Sequence, residues 1–321
     1  MDASSRGWRI FSIAIMLVEC LIDCLDMGMQ FQKVDINHPY LEYFQYYPKE
    51  LNPPQFLYVQ GKLPDSAKRP KTAAIVGARR CTKYGENIAY NLAFQLAKRG
   101  VVIVSGLAFG IDSCAHRGCL DAGGTTIAVL GTPIDQIYPR SNLGLAQRIL
   151  EKGAIVSEYE PGAPIYRENF LYRNRIVSGM SDIVVIVESS LHSGTHYTAA
   201  RAEEQGKTIY AVPGDISRPM SEGCHYLIQT CNCNVCTGVD DLLVGLHLRP
   251  DSGKKAEKFA VDYSGCTPIQ LGIIACLRTK ITEPAEMAKY LDCDISVITS
   301  NITLMQIRGL IKREKGIWTL A

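Results

Sequence analysis

Six short runs of aliphatic and β-branched residues constrain the fold of this chain more than any other feature, because they alternate regularly with segments of helical periodicity. Strands with continuous apolar sequence are buried on both faces, as in a parallel sheet that is covered by helices on each side. The pattern therefore predicts an α/β fold with a doubly wound, mostly parallel, Rossmann-like sheet. The predicted strands are residues 72–76, 101–104, 125–130, 154–156, 183–187 and 208–212.

The regions around this pattern differ from it in composition. Residues 1–45 read as an N-terminal helical remnant or an irregular lead, and 46–245 as an extended Rossmann-like domain. Residues 246–262 are polar and lysine-rich and predict a linker. In 263–321, three helical patterns and a terminal strand predict a small C-terminal winged-helix-like domain. We expect no membrane span, because the apolar run near the N-terminus has nine residues and a bilayer needs about 20.

Charge and cysteine content limit the classes of function. The net charge is only +2, so any binding of nucleic acid must depend on a local basic patch. Twelve cysteines in a chain of 321 residues without a secretion signal predict free thiols in the cytoplasm. The closely spaced Cys231, Cys233 and Cys236 lack a second C-x-x-C pair, so buried thiols are favoured over a metal site.

Glycine-rich turns follow four of the predicted strands. The carboxyl ends of parallel strands lie at one edge of the sheet, where backbone N–H groups and helix N-termini attract anions. We therefore predict an anion-binding crevice at this edge. Neither G-x-G-x-x-G nor G-x-x-x-x-G-K-[ST] occurs there, so we expect no dinucleotide cofactor and no P-loop. The turns contain Gly77, Ser105, Gly106, Gly110, Gly131, Ser193, Gly194 and Thr195.

Arginines and aromatic residues are interleaved near the same strand ends. Arg79 and Arg80 follow the first strand, and the segment 167–175 contains three further arginines with two aromatic residues. Guanidinium groups bind phosphates and aromatic rings stack on unpaired bases, so the pattern favours single-stranded nucleic acid. The alternative is that about half of these side chains form structural ion pairs or core contacts. The segment contributes Arg167, Phe170, Tyr172, Arg173 and Arg175.

No catalytic constellation is recognisable. The chain has neither G-x-S-x-G nor H-E-x-x-H. Glu188, His192 and His196 are spaced by four, but Gly194 interrupts a shared helical face, so we expect no metal. Asp112 could act as a general base, although bracing of the glycine loop is the favoured role. We predict a protein without catalytic residues.

The motifs together resemble the DNA processing protein A family, DprA, also called Smf. They occur in order over about 200 residues, and Ser105-Gly106-x-Ala108-x-Gly110-Ile111-Asp112 is the most specific. The others are Ile75-Val76-Gly77-Ala78-Arg79, Val129-Leu130-Gly131-Thr132, Phe170-x-x-Arg173-Asn174-Arg175, Ser193-Gly194-Thr195 and Ala211-Val212-Pro213-Gly214.

The resemblance implies a single-stranded DNA-binding protein that forms a homodimer and helps to load a RecA-type recombinase during natural transformation. The implied DNA-binding residues are Arg79, Ser105, Gly106, Gly110, Arg167, Phe170, Arg173, Arg175, Ser193, Gly194 and Thr195.

Two alternatives remain open. A nucleoside-monophosphate phosphoribohydrolase would use a similar phosphate cradle, but the acid and two glycines of its Pro-Gly-Gly-x-Gly-Thr-x-x-Glu motif are missing from 191–196. A nucleotide sensor coupled to partner binding is the second alternative, and competition between mononucleotides and DNA would test it.

Overall fold

The computed structural model describes residues 31–35, 52–65, 68–250, 265–314 and 317–320. The chain divides into two compact units, with the boundary between residues 257 and 258. Apart from 31–35, the predicted N-terminal lead lies outside the described residues, as does the predicted linker from 251 onward.

A nine-stranded sheet forms the centre of the first unit. Its order is β1-β2-β6-β5-β4-β3-β7-β8-β9. In this order, every neighbouring pair from β6 through β5, β4, β3, β7 and β8 to β9 is parallel. The pairs β1–β2 and β2–β6 are antiparallel. The strands are β1 (Phe31–Asp35), β2 (Phe56–Gly61), β3 (Thr72–Val76), β4 (Val102–Ser105), β5 (Thr126–Leu130), β6 (Ala154–Ser157), β7 (Ile183–Ile186), β8 (Thr208–Ala211) and β9 (Cys233–Val235).

Side chains from both faces of the sheet pack into hydrophobic cores. Alternate strand residues such as Val104 and Val184 pack with Val177 and Ala202 of the helices on one face, and Ala128 and its neighbours pack with a separate cluster on the other. The predicted fold class is therefore confirmed. The helices are α1 (Lys83–Lys98), α2 (Ile111–Asp121), α3 (Leu143–Lys152), α4 (Asn169–Tyr172), α5 (Asn174–Gly179), α6 (Gly194–Glu204), α7 (Pro219–Thr230) and α8 (Val239–Gly245).

The order of the strands fixes the position of the crevice. From β3 the chain winds outward through β4, β5 and β6, and it then returns to the other side of β3 to form β7, β8 and β9. Ligands of such sheets bind at the carboxyl ends of the strands where the winding direction reverses. This edge lies beyond Val76 and Ile186, whose strands are paired in register.

Two strands of the nine-stranded sheet differ from the sequence-based expectation. The segment 31–35, predicted as part of an irregular lead, is β1 and pairs with β2 at the edge of the sheet. Only Val34 of this strand is buried, so its sequence carries almost no apolar signal. At the opposite edge, β9 is a three-residue strand with exposed positions, and it was not predicted for the same reason.

The second unit contains three helices followed by a two-stranded antiparallel sheet. The three helices and the strand Ile317–Leu320 correspond to predicted elements, whereas the strand Ile311–Glu314 was not predicted. A capping box of Thr267 and Gln270 begins the first helix. The hydrophobic core of this second unit includes Ile273, Met287 and Ile302. In the part of the chain that the structure describes, no helix is long and apolar enough to cross a membrane. The elements are α9 (Pro268–Arg278), α10 (Pro284–Tyr290), α11 (Ile295–Ile307), β10 (Ile311–Glu314) and β11 (Ile317–Leu320).

Candidate functional site

A crevice of about 440 Å³ opens at the carboxyl ends of the central strands. The loops after β3, β4 and β7 form its walls together with α4 and the start of α5. The structure brings eight of the eleven predicted DNA-binding residues to its lining. They are Arg79, Gly106, Arg167, Phe170, Arg173, Ser193, Gly194 and Thr195.

Asp112 holds the glycine loop that follows β4. Its buried carboxylate accepts hydrogen bonds from the backbone N–H groups of Gly106 (3.1 Å) and Ala108 (3.4 Å). The Ser105 hydroxyl donates to the carbonyl oxygen of Ile75 (2.7 Å) and so joins the loop to β3. The carboxylate therefore occupies the place that an anionic ligand would take in an open loop of this kind. Burial raises the pKa of Asp112, and the positive charge of Arg173 opposes that rise.

Arg173 lies beneath the same loop, at the floor of the crevice. Its buried guanidinium donates to the carbonyl oxygens of Gly106 (2.6 Å) and Val129. Its Nε also donates to the side chain of Asn174 (3.2 Å). Burial lowers the pKa of Arg173 to about 10, so the group remains a cation at neutral pH.

Aromatic rings form one wall of the crevice. Phe170 is half-buried against Gly131, where a Cβ atom would lie 2.9 Å from the Phe170 Cα. The Tyr138 ring lies 5.3 Å from the Phe170 ring, and the Arg79 guanidinium lies 5.7 Å from the same ring. These three residues and Phe109 line a smaller cavity of about 40 Å³ beside the main crevice.

Sequence reasoning did not assign Phe109 and Tyr138 to the site. Both are exposed, and both lie in loops that directly follow central strands. The signal available in the sequence was a large aromatic residue in each of two loops that follow central strands. Large aromatic side chains are more often buried, so their presence in such loops indicates a binding surface.

The rim of the crevice carries positive charge and a helix N-terminus. Arg79, Arg80 and Arg167 are exposed there. In the loop after β7, Ser193 caps α6 and accepts a hydrogen bond from the Thr195 N–H (3.2 Å). Because exposed cations and the N-terminal end of an 11-residue helix face one cavity, the rim favours anionic ligands.

Three predicted site residues do not line the crevice. Ser105 is buried below the loop, and Gly110 is the glycine at which the loop enters α2. Gly110 has φ of +73°, and a Cβ there would overlap the carbonyl oxygen of Ala78. Arg175 is buried and forms an ion pair with Glu158 through two contacts of 2.6 and 2.8 Å. The prediction of a DNA contact at Arg175 is thus replaced by a structural ion pair.

Glu188 and His196, which have the spacing of metal ligands in the sequence, contact different groups of the protein. The Glu188 carboxylate accepts hydrogen bonds from the Thr82 N–H (2.7 Å) and hydroxyl (2.5 Å), whereas His196 Nε2 lies 3.1 Å from the Ser190 carbonyl oxygen. Burial raises the pKa of both Cys233 and Cys236 to about 12, which is typical of inert thiols. No group of three potential metal ligands occurs among the described residues.

Comparison with known proteins identifies the family of this chain. The family model described as DNA recombination-mediator protein A matches residues 40–247. A DprA protein of Mycobacterium tuberculosis is 43% identical over 174 residues, which are 54% of this chain and 44% of that protein. Protein Smf of Escherichia coli is 42% identical over 216 residues, which are 65% of this chain and 57% of that protein. The match thus spans only about half the length of these curated relatives.

Two solved structures are similar to this one over a larger share of their length. DNA processing protein A of Streptococcus pneumoniae has a TM-score of 0.60 and 35% identity over 67% of this chain and 74% of its own. The protein of the same name from Helicobacter pylori, described for its single-stranded DNA binding mode, has a TM-score of 0.60 and 31% identity over 69% of this chain and 97% of its own. With its sheet, its glycine loop and its match over residues 40–247, this chain belongs to the DNA recombination-mediator protein A family.

Proposed function

We propose that the chain binds single-stranded DNA in the crevice and acts without catalysis. The observation that carries the proposal is the Arg79 guanidinium 5.7 Å from the ring of Phe170 at the wall of the crevice. A guanidinium can neutralise a phosphate while the neighbouring ring stacks on an unpaired base. Bases in a duplex are already stacked on each other, so this arrangement favours a single strand.

The other lining residues supply the remaining contacts in this proposal. Arg167 binds phosphates at the rim, and the N-terminal end of α6, at Ser193, Gly194 and Thr195, attracts another phosphate through its positive partial charge. Gly106 and Arg173 form the floor and hold its shape. Ser105 and Gly110 position the loop instead of contacting the strand.

The proposal extends to the cellular role. Members of this family are described as recombination mediators, and the Helicobacter pylori relative as a binder of single-stranded DNA. These descriptions support a role in recombination that begins with single strands. We propose further that the protein is a cytoplasmic homodimer that protects incoming single strands and helps to load a RecA-type recombinase on them during natural transformation.

Fluorescence anisotropy with labelled oligo-dT and the matching duplex, measured over a salt series, tests the DNA site. We expect preference for the single strand, and we expect Arg79→Ala to weaken binding about tenfold and to reduce the salt dependence by about one phosphate contact. Phe170→Ala should weaken binding with little change in salt dependence, since it removes stacking and no charge. Arg148→Ala is the matched control, because its exposed side chain pairs with Asp121 outside the crevice.

Other outcomes distinguish the alternatives. Equal losses of affinity for oligo-dT in the Arg79 and Arg148 variants would show that the crevice is not the DNA-binding site. Release of ribose phosphate from nucleoside monophosphates would instead favour a phosphoribohydrolase. Competition by mononucleotides at concentrations that displace oligo-dT would favour a nucleotide sensor.

A further inference from the structure

The third helix of the C-terminal unit carries no charged side chain, and several of its apolar side chains are exposed. α11 has 13 residues, from Ile295 to Ile307, with the sequence ISVITSNITLMQI. One face, with Ile298, Ile302 and Met305, is buried in the core of the unit. In a winged-helix module that reads DNA, the corresponding helix enters the major groove, where basic side chains contact phosphates and bases. The uncharged surface of α11 fits a protein partner instead.

A stripe on this exposed surface has the spacing of a coiled-coil seam. The exposed fractions are 38% for Val297, 52% for Leu304 and 78% for Ile307, and the small Ser300 is also exposed. These four residues are separated by three, four and three positions, which is the spacing of the a and d positions of a heptad. We call Val297, Ser300, Leu304 and Ile307 the α11 stripe.

The spacing of the α11 stripe is the same in both directions along the helix. When two copies pack antiparallel, Val297 of each lies opposite Ile307 of the other, and Ser300 opposite Leu304. The small serine leaves room for the large leucine, so the two surfaces can interdigitate. A two-fold symmetric interface requires such self-complementarity.

The charges beside the stripe match the same antiparallel arrangement. Asp294, Asn301 and Arg308 are seven residues apart and form a column next to the stripe. Reversal of one helix brings Asp294 of each copy to Arg308 of the other, and Asn301 to Asn301. Both charged residues are exposed, and Arg308 is held at its end of the helix by bonds to Gln270 (3.3 Å) and to the carbonyl oxygen of Gly265 (3.2 Å). Flanking charges of this kind set the orientation of paired helices.

We propose that the α11 stripe is a self-association surface, on which a second copy of this chain docks antiparallel through its own α11. The surface is independent of the crevice and of the DNA-binding function proposed for it. The proposal commits to one register, in which Ser300 of one copy lies against Leu304 of the other.

Sedimentation velocity of the full 321-residue chain over a concentration series tests the proposal. We expect Leu304→Glu and Ser300→Lys each to weaken one association step about tenfold or more, since an unpaired charge is then buried at the interface. The matched control is Thr299→Glu, which places the same charge on an exposed position of the same helix away from the stripe. It should leave association unchanged.

Mixing the two stripe variants tests the register. In a mixed pair, Lys at 300 of one copy faces Glu at 304 of the other, and the second Ser300–Leu304 contact is unaltered. We therefore expect the mixture to associate more tightly than either variant alone. Unchanged association of the Leu304→Glu chain, an equal loss in the Thr299→Glu control, or no recovery in the mixture would overturn the proposal. If Leu304→Glu leaves association unchanged, the exposed surface of α11 would instead fit a different protein.

Discussion

The guanidinium of Arg173 donates a hydrogen bond of 2.6 Å to the carbonyl oxygen of Gly106, and it thereby ties the segment after β6 to the glycine loop after β4. The same guanidinium also donates to the carbonyl oxygen of Val129 at β5. One buried side chain thus connects three parts of the crevice floor. This arrangement makes the stability of the fold and the shape of the crevice depend on the same residue.

Arg173→Lys should destabilise the protein although it keeps the charge. An ammonium group cannot reproduce the planar set of donors, so buried carbonyl oxygens lose their partners at a cost of about 2 kcal/mol. Urea denaturation measures the free energy of unfolding. Arg148→Lys provides the comparison, because an exposed ion pair contributes about 0.5 kcal/mol or less. Equal unfolding midpoints for the two variants would contradict the role assigned to Arg173.

Gly106→Ala and Gly144→Ala should have opposite effects on stability. A Cβ at Gly106 would lie 2.5 Å from Nη1 of Arg173, so the guanidinium must move and its hydrogen bonds weaken. At Gly144, in the first turn of α3, nothing lies within 4 Å of the added atom, and alanine should stabilise the helix by up to about 1 kcal/mol. Thermal unfolding of both variants checks the sign of each change. A stabilised Gly106 variant would show that the loop has more space than the structure allows.

The ion pair of Arg175 with Glu158 should contribute to folding and not to DNA binding. Removing either partner leaves a buried or half-buried charge, and we expect Arg175→Ala to cost about 3 kcal/mol of stability. A double-mutant cycle with Glu158→Ala should give a coupling energy above the roughly 0.5 kcal/mol that distant sites show. At temperatures where the variant stays folded, its affinity for oligo-dT should match that of the unchanged chain. A selective loss of affinity would return Arg175 to the DNA site.

The stability of the protein should fall in mild acid because of His116. Burial lowers its pKa from 6.5 to about 3. Between these two values the unfolded chain binds a proton that the folded chain does not, so the free energy of unfolding decreases as the pH falls through this range, by about 1 kcal/mol per pH unit. Comparing urea denaturation at pH 7 and pH 5 for the unchanged chain and His116→Asn measures this contribution. Equal slopes in the two proteins would exclude His116 as the source.

The central strands could be predicted because each carries its own signal. Every residue of Ile183–Ile186 and of Thr126–Leu130 is buried, so apolar sequence is continuous and the parallel arrangement follows from local pattern. The edge strand Phe31–Asp35 carries no such signal, because only one of its side chains is buried. Its position in the sheet is stabilised by backbone pairing with β2. Edge strands are specified by a neighbouring strand more than by their own composition.

The roles of individual arginines could not be predicted from local sequence. Arg173 and Arg175 are two residues apart, yet one lies at the floor of the crevice and the other pairs with Glu158 outside it. The partner of Arg175 is 17 positions away, and the fold alone brings the two together. The aromatic wall has the same origin, because Tyr138 and Phe170 meet only through tertiary structure.

The carboxylate of Asp112 means that two backbone donors of the glycine loop do not need a ligand as their hydrogen-bond partner. These donors, at Gly106 and Ala108, are satisfied from within the chain. Because bonds within the chain already hold this part of the loop, less of the binding free energy is consumed in ordering it. The crevice is then a preorganised surface, and what it selects depends on the side chains at its rim.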